Sequence, residues 1–214
     1  MNHEYWYLSR AAGFTAYLLL FASAALGIAM STKFAARFER GNFSFDLHRF
    51  VSILALLFSL FHVYVLLGDQ YFSFSVWQLS APFASPYRTL STTIGVISLY
   101  AMALIIASFY VKRFIGYRTW RAIHFLTFAM YAGVTAHGIF AGTDTSRPWA
   151  RLIYAGTGAA LMLMVAYRIS ESAKRGSESA RSARSIASGA TALAGVVLAV
   201  IGAAFLGGGI ASLV

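Results

Sequence analysis

The chain has no cysteine and few charged residues. Its 214 residues are 59% hydrophobic and only 11% charged, and the mean hydropathy is +0.68. The lack of cysteine excludes disulfides, iron–sulfur clusters, thiolate zinc sites and covalently attached c-type haem from this sequence. Ordinary soluble domains are about a quarter charged, so this composition predicts a protein that is solvated mainly by lipid. Any metal must then be bound through nitrogen or oxygen.

Acidic residues are also scarce, and none lies deep within an apolar run. The sequence has 7 Asp and Glu against 17 Lys and Arg. Proton pumps and ion-coupled transporters usually carry carboxylates inside their spans, so the pattern argues against both classes. A net charge of +10 can indicate a nucleic-acid binder, but these basic residues lie between apolar runs and not along one soluble face. We therefore expect membrane lipid as a partner and no nucleic acid.

Long uncharged runs predict the fold. Because a bilayer leaves no water for backbone groups, each run of about 20 apolar residues should be a helix. We expect an all-α integral membrane bundle of six transmembrane helices, with a short interfacial helix within residues 69–89. The six predicted spans are residues 11–32, 50–68, 89–111, 122–143, 150–167 and 185–214.

The basic residues also predict orientation. Thirteen Lys and Arg residues fall on one side of the predicted spans and four on the other, which places the richer side in the cytoplasm and both termini outside. Ala22-Ser23-Ala24 resembles a signal-peptide cleavage site, but the charge bias around the first run is the reverse of a signal peptide's. We expect a multi-pass protein of the plasma (inner) membrane with a retained first helix.

Four of the five histidines lie in or next to the predicted spans: His62 in the second with His48 two positions before it, and His124 and His137 in the fourth. Ionisable residues in lipid are costly and usually functional, and imidazole suits haem iron. One such histidine is more often a core residue bonded to a carbonyl. Four of them predict axial ligands, although a non-redox scaffold or transporter whose histidines bind a substrate or loose metal is the alternative.

Depth in the membrane predicts how the histidines pair. The second and fourth spans run in the same direction, and His48 and His124 lie near the inner face while His62 and His137 lie toward the outer face. Pair members on one helix are about 20 Å apart along its axis. The sequence therefore predicts two haem b groups held by the pairs His48/His124 and His62/His137.

The spacings of the two pairs along the chain differ. His62 follows His48 by 14 positions, which returns to nearly the same helix face, whereas His137 follows His124 by 13. A spacing of 13 lands about 140° away in an ideal helix. Either the fourth helix is distorted, with Gly133 as a candidate position, or its two rings leave it in different directions.

The histidine segments resemble a known family. Asp46-Leu47-His48-Arg49 with His62, and Trp120-Arg121-Ala122-Ile123-His124 with His137-Gly138, resemble the haem helices of ferric reductase-like transmembrane domains. That family includes the membrane domains of NADPH oxidases and ferric reductases and the haem subunit of the bacterial methionine sulfoxide reductase system. The resemblance covers residues of about 10–170. It implies that the four histidines ligate two b haems.

The sequence departs from the oxidases after this region. Residues 1–169 form the expected di-haem domain, residues 170–189 a basic, Ser-rich cytoplasmic loop and residues 190–214 an extra transmembrane helix. No flavin- or nucleotide-binding motif is found here. The electrons are therefore expected from a separate donor protein or a quinol, with a quinone or a flavin in contact with a partner.

Several further residues are candidates for cofactor contact. Arg49, Arg118 and Arg121 flank the inner histidines and would suit haem propionates, although positive-inside topology explains them equally well. Phe58 lies between His48 and His62 and Met130 between His124 and His137, where they would separate two haems or simply pack.

These expectations combine into one function. The predicted chain is a membrane haem subunit of an oxidoreductase that passes electrons across the bilayer to an acceptor or partner subunit on the outer side. The alternative within the same chemistry is a quinol-linked cytochrome b subunit of a larger respiratory or photosynthetic complex.

Overall fold

The computed structural model describes residues 4–32, 43–69 and 72–174, and the isolated helical positions 191, 195, 198, 199 and 202. These residues form helices and contain no strand, as the sequence predicts. The helices are α1 (Glu4–Met30), α2 (Phe43–Leu67), α3 (Val76–Ser80), α4 (Thr89–Tyr110), α5 (Lys112–Ala141) and α6 (Pro148–Lys174).

Five of these helices are long and apolar enough to cross a membrane: α1, α2, α4, α5 and α6. They coincide with the first five predicted spans, and α1, α2, α5 and α6 extend beyond them by a turn or more. The sixth predicted span, residues 185–214, lies largely outside the described residues. The protein is therefore a multi-pass membrane protein with at least five helices of spanning length.

Helix ends follow from local chemistry. The hydroxyls of Ser31 and Thr32 donate to the carbonyls of Ile28 and Ala29 and so satisfy the last turn of α1. Helix α6 starts at Pro148, where a missing N–H costs nothing. It continues to Lys174, so the first five positions of the predicted loop 170–189 are helical.

The short helix α3 confirms the predicted helix between the second and third spans. Its N-cap is Ser75, whose hydroxyl accepts from the Gln78 N–H, while the Gln78 side chain accepts from the Ser75 N–H. This capping box stabilises a helix of only five residues. Trp77 on α3 is 72% exposed, which suits a helix at a membrane interface.

The end of α5 is held by residues that precede α4. Tyr87 donates its hydroxyl hydrogen to the Ala141 carbonyl at 3.1 Å, and the Arg88 guanidinium donates to the Phe140 carbonyl at 2.6 Å. Arg88 adopts left-handed backbone angles at φ 41°. The pair satisfies carbonyls that a helix end leaves without intrahelical partners, one turn beyond His137.

The chain forms two compact units. One comprises Met1–Leu20 with Phe50–Thr143, and the other comprises Phe21–Arg49 with Asp144–Val214. In the first unit α4 packs against α5, and its core includes Tyr17, Met130 and Tyr131. Large apolar side chains elsewhere on the spanning helices are exposed, Leu163 by 72% and Tyr64 by 70%, as expected of a lipid-facing surface.

Candidate haem-ligating histidines

His62 on α2 is held by α1. Its Nδ1 donates to the Ser9 carbonyl at 2.8 Å, and the Ser9 hydroxyl lies 3.4 Å from the same nitrogen. Gly13, one turn further along α1, lies against the ring: a Cβ added there would be 3.2 Å from His62 Nδ1. The absence of a side chain at position 13 lets the imidazole approach the helix backbone.

His137 on α5 is held in the same way by α4. Its Nδ1 donates to the Ser91 carbonyl at 2.8 Å. Gly95 follows Ser91 by four positions, and a Cβ at 95 would lie only 2.5 Å from His137 Nδ1. This is closer than real Cβ contacts come, so the ring occupies space that any other residue would fill.

His48 on α2 is held in the same way by the second half of α1. Its Nδ1 donates to the Ser23 carbonyl at 3.0 Å, with the Ser23 hydroxyl at 3.3 Å. Gly27 is again four positions after the serine, and a Cβ there would lie 3.4 Å from His48 Cε1. This is ordinary van der Waals contact, so the glycine packs less closely against the His48 ring than Gly13 and Gly95 pack against theirs.

These contacts fix the protonation pattern of the rings. A carbonyl oxygen only accepts, so each Nδ1 must carry the hydrogen. The other ring nitrogen, Nε2, is then left with its lone pair, which is the form that binds a metal. Metal-ligating histidines characteristically donate their second nitrogen in this way. His48, His62 and His137 therefore each have the tautomer that can bind a metal through Nε2, and their role as haem ligands stays a prediction.

Two of the three belong to one group in space. His62 and His137 both lie in the first compact unit. They come from α2 and α5, 75 positions apart in the sequence. The described residues contain no cluster of three or more His, Asp or Glu side chains that could hold a metal ion; a bis-histidine haem site needs only two protein ligands.

His124 is packed differently, against an aromatic ring of its own helix. Trp120, one turn earlier on α5, stacks on it with ring centroids 5.3 Å apart and planes 24° apart. The Trp120 Nε1 is buried without a hydrogen-bond partner among the described residues. The Lys112 ammonium lies 4.2 Å from the centre of the indole. A buried indole N–H is a donor that lacks its acceptor.

The unequal spacing on α5 is explained without a bend at Gly133. The one non-helical residue within α5 is Gly116, at φ 80°, a conformation that glycine adopts readily. Gly133 is helical and lies against the Ser98 hydroxyl of α4. The predicted distortion at Gly133 is therefore wrong, since the glycine allows a close approach of two helices. In a regular helix, positions 13 apart point about 140° away from each other, so rings that leave α5 in different directions are the remaining interpretation.

Comparison with known families adds the decisive observation. The model of the ferric reductase like transmembrane component family matches residues 12–135, more than half of the chain. The chain belongs to this family. Neither a curated protein nor a solved structure matched it. The matched region contains His48, His62 and His124 and ends two residues before His137, so the family's membrane electron-transfer architecture covers most of the candidate site.

The residues of this ferric reductase-like chain fit a haem. Three Nε2 atoms are free of hydrogen, three glycines leave space against the rings, and the buried Trp120 N–H beside His124 lacks an acceptor. The carboxylates of a haem would supply one. The supporting residues share the pattern Ser-x-x-x-Gly, at residues 9–13, 23–27 and 91–95. The same pattern also occurs at residues 172–176 and 185–189, in the predicted basic loop, so the pattern alone did not mark these positions.

The three candidate arginines lie within the first three turns of α2 and α5. Arg49 is 3.6 Å from the Asp46 carboxylate. Arg118 is exposed, and Arg121 is also exposed and donates to the Tyr117 hydroxyl at 3.3 Å. Contact of these arginines with a haem propionate stays a prediction.

The residues predicted between the histidine levels differ in burial. Met130 is 5% exposed, while Phe58 is partly buried on α2. Next to Met130, Tyr131 forms a hydrogen bond of 2.9 Å between its hydroxyl and that of Tyr17 on α1. The two rings stack with centroids 5.7 Å apart. This buried pair, whose α1 member sequence analysis did not find, joins α1 to α5 inside the first unit.

Proposed function

We propose that this protein is a di-haem b electron-transfer subunit of the plasma membrane. It would pass electrons from a separate donor to an acceptor on the outer side. The observation that carries the proposal is the set of three Nδ1-to-carbonyl hydrogen bonds, 2.8–3.0 Å long, which leave three imidazole Nε2 atoms ready to bind iron. Membership of the ferric reductase-like family supports the same chemistry.

The proposed ligand pairs are His62 with His137 and His48 with His124. The first pair is supported by the place of both members in the first compact unit, and each pair by matching depth in the sequence. Haem bound at these pairs would supply one-electron chemistry, for which the chain's own side chains have no substitute. The chain's part is to hold the ligands and orient their rings.

The donor is proposed to be a separate flavoprotein or a membrane quinol. The sequence carries no dinucleotide-binding fingerprint followed by a strand and helix, and the described residues are all-helical. Reduction of the purified protein by a quinol, compared with reduction by a flavoprotein reductase and NADPH, distinguishes the two donors. We propose that the protein works with an electron donor and with a separate acceptor on the outer side.

Visible spectroscopy with haem quantitation tests the proposal. Purified protein should show reduced b-type bands and about two haems per chain, one for each histidine pair. His62→Ala or His137→Ala should remove one haem and leave the other, because each variant breaks a single pair. His3→Ala is the matched control, since that histidine lies outside the predicted spans. A colourless protein, or a variant series in which His62 and His137 behave no differently from His3, refutes the proposal.

A further inference from the structure

The three Ser-x-x-x-Gly segments on α1 and α4 share one geometry. In each, the serine carbonyl accepts from a histidine Nδ1, and the glycine four positions later lies against the same ring. Two copies lie on α1, with their serines 14 positions apart, the same spacing as His48 and His62 on α2. The third copy lies on α4 and faces His137.

The spacing of four has a physical cause. In an α-helix the carbonyl of residue i accepts from the N–H of residue i+4, so the residue at i+4 stands beside that oxygen. A Cβ at i+4 would cover the side from which a second donor can approach the oxygen. At Gly13 and Gly95 the atom nearest to the added Cβ is the histidine Nδ1 itself, the atom that forms the hydrogen bond.

We infer that Ser-x-x-x-Gly is a histidine seat, in which glycine uncovers a helix carbonyl for the Nδ1 hydrogen of a ligand histidine. Gly13, Gly27 and Gly95 are positioning residues: none binds iron, and each lets the carbonyl select the ring tautomer with its hydrogen on Nδ1 and its lone pair on Nε2. The role toward haem rests on the function proposed above. The hydrogen bonds themselves do not depend on it.

Glycine in membrane helices also allows close helix packing. Comparison of the three seats distinguishes this explanation from exposure of the carbonyl to a histidine. An added Cβ would lie 2.5 Å from the His137 ring at position 95, 3.2 Å from the His62 ring at 13 and 3.4 Å from the His48 ring at 27. The inferred role of glycine therefore predicts that substitution by alanine has a different effect on the bound haem at each of the three positions. Position 95 should be most sensitive, position 13 intermediate and position 27 nearly neutral.

Two further glycines provide matched controls. A Cβ at Gly156 meets nothing within 4 Å, so Gly156→Ala controls for the change of residue type. A Cβ at Gly133 meets the Ser98 hydroxyl between α4 and α5 and no histidine. Gly133→Ala thus perturbs the packing of the same two helices, although a serine hydroxyl can turn away by rotation about χ1.

The experiment measures haem per chain, the electron paramagnetic resonance of the ferric haems and their midpoint potentials in purified full-length variants. Gly95→Ala is expected to weaken retention of the haem at His137 by about 10- to 100-fold, the usual effect of losing a partner of a metal-ligating histidine. Gly13→Ala should keep its haem with an altered resonance and a raised potential, because a weaker Nδ1 bond makes the imidazole a poorer donor. Gly27→Ala should change the haem resonance and potential least of the three, and the controls Gly133→Ala and Gly156→Ala should match the unmodified protein.

Equal haem loss in Gly95→Ala and Gly133→Ala would overturn the inference, as would three seat variants of equal effect. If Gly95→Ala does not accumulate, the contrast between Gly13→Ala and Gly27→Ala decides the matter. Unmodified protein without haem refutes the proposed function but not the seat. In that case nitrogen NMR of the histidine rings should still find the hydrogen on Nδ1 of His62, and the opposite tautomer refutes the seat.

Discussion

The hydrogen bond between Tyr17 and Tyr131 gives a direct test of how α1 is held against α5. The two hydroxyl oxygens are 2.9 Å apart and the residues are 3% and 4% exposed. Tyr17 stands one turn after Gly13, and Tyr131 lies six positions before His137. The bond therefore ties the helix that seats His62 to the helix that carries His137.

The magnitude follows from the surroundings of the bond. Hydrogen bonds between side chains of membrane helices contribute about 0.6 kcal/mol on average and up to about 1.7 kcal/mol. Both tyrosines are almost fully buried, so water does not replace the lost partner and the value should lie in the upper part of that range. Removal of both hydroxyls should cost little more than removal of one, because the first substitution already breaks the bond.

A double-mutant cycle measures this term. The free energies of unfolding in detergent are compared for Tyr17→Phe, Tyr131→Phe and the double variant, with exposed Tyr64→Phe as a control that should have no effect. The coupling free energy is expected at about 1 to 1.7 kcal/mol. Haem content should stay unchanged, since the seats of His62 and His137 use the carbonyls of other residues. A coupling energy within error of zero would show that the two hydroxyls do not stabilise the bundle through each other.

Two other contacts yield predictions. Trp120→Phe keeps an aromatic ring against His124 but removes the buried N–H, so it should shift the midpoint potential of one haem without changing haem content; a redox titration identical to that of the unmodified protein excludes the indole N–H as a partner of the cofactor. Arg88→Met removes the hydrogen bond to the Phe140 carbonyl and should lower the free energy of unfolding by about 0.5–1.5 kcal/mol. Exposed Arg147→Met should have no effect, and equal losses in the two variants contradict a capping role for Arg88.

The helices could be predicted, and the four membrane histidines identified as candidate ligands, because both depend on side-chain chemistry that can be read directly from the sequence. Uncharged runs of about 20 residues must become helices in lipid, and α1, α2, α4, α5 and α6 are where such runs lie. The stack of Trp120 on His124 was also within reach, since positions four apart share a helix face. The capping of α5 by Tyr87 and Arg88 was not, because it joins a loop to carbonyls about 50 positions away.

Gly133 shows why the remaining details were hard to predict. A glycine in a helix is compatible with a bend and with a close helix contact, because both exploit the missing Cβ. Both a bend at Gly133, which would have turned His124 and His137 toward one partner, and rings that leave the helix in different directions were compatible with the sequence. The contact with Ser98 on α4 is a property of the packed bundle, and nothing near Gly133 in the sequence distinguishes the two cases.

The histidine seats were not predicted, for a related reason. They also give the helices different roles. The acceptor is a backbone carbonyl, which every residue possesses, so only the glycine four positions later marks it. Helices α2 and α5 carry the proposed ligands, whereas α1 and α4 carry no intramembrane histidine and supply the carbonyls. The rings of His62 and His137 are thus oriented by two different helices. A displacement of α1 changes the Nδ1 bond of His62 and leaves that of His137 in place, so substitutions on α1 and α4 should alter the two ligands of one haem independently.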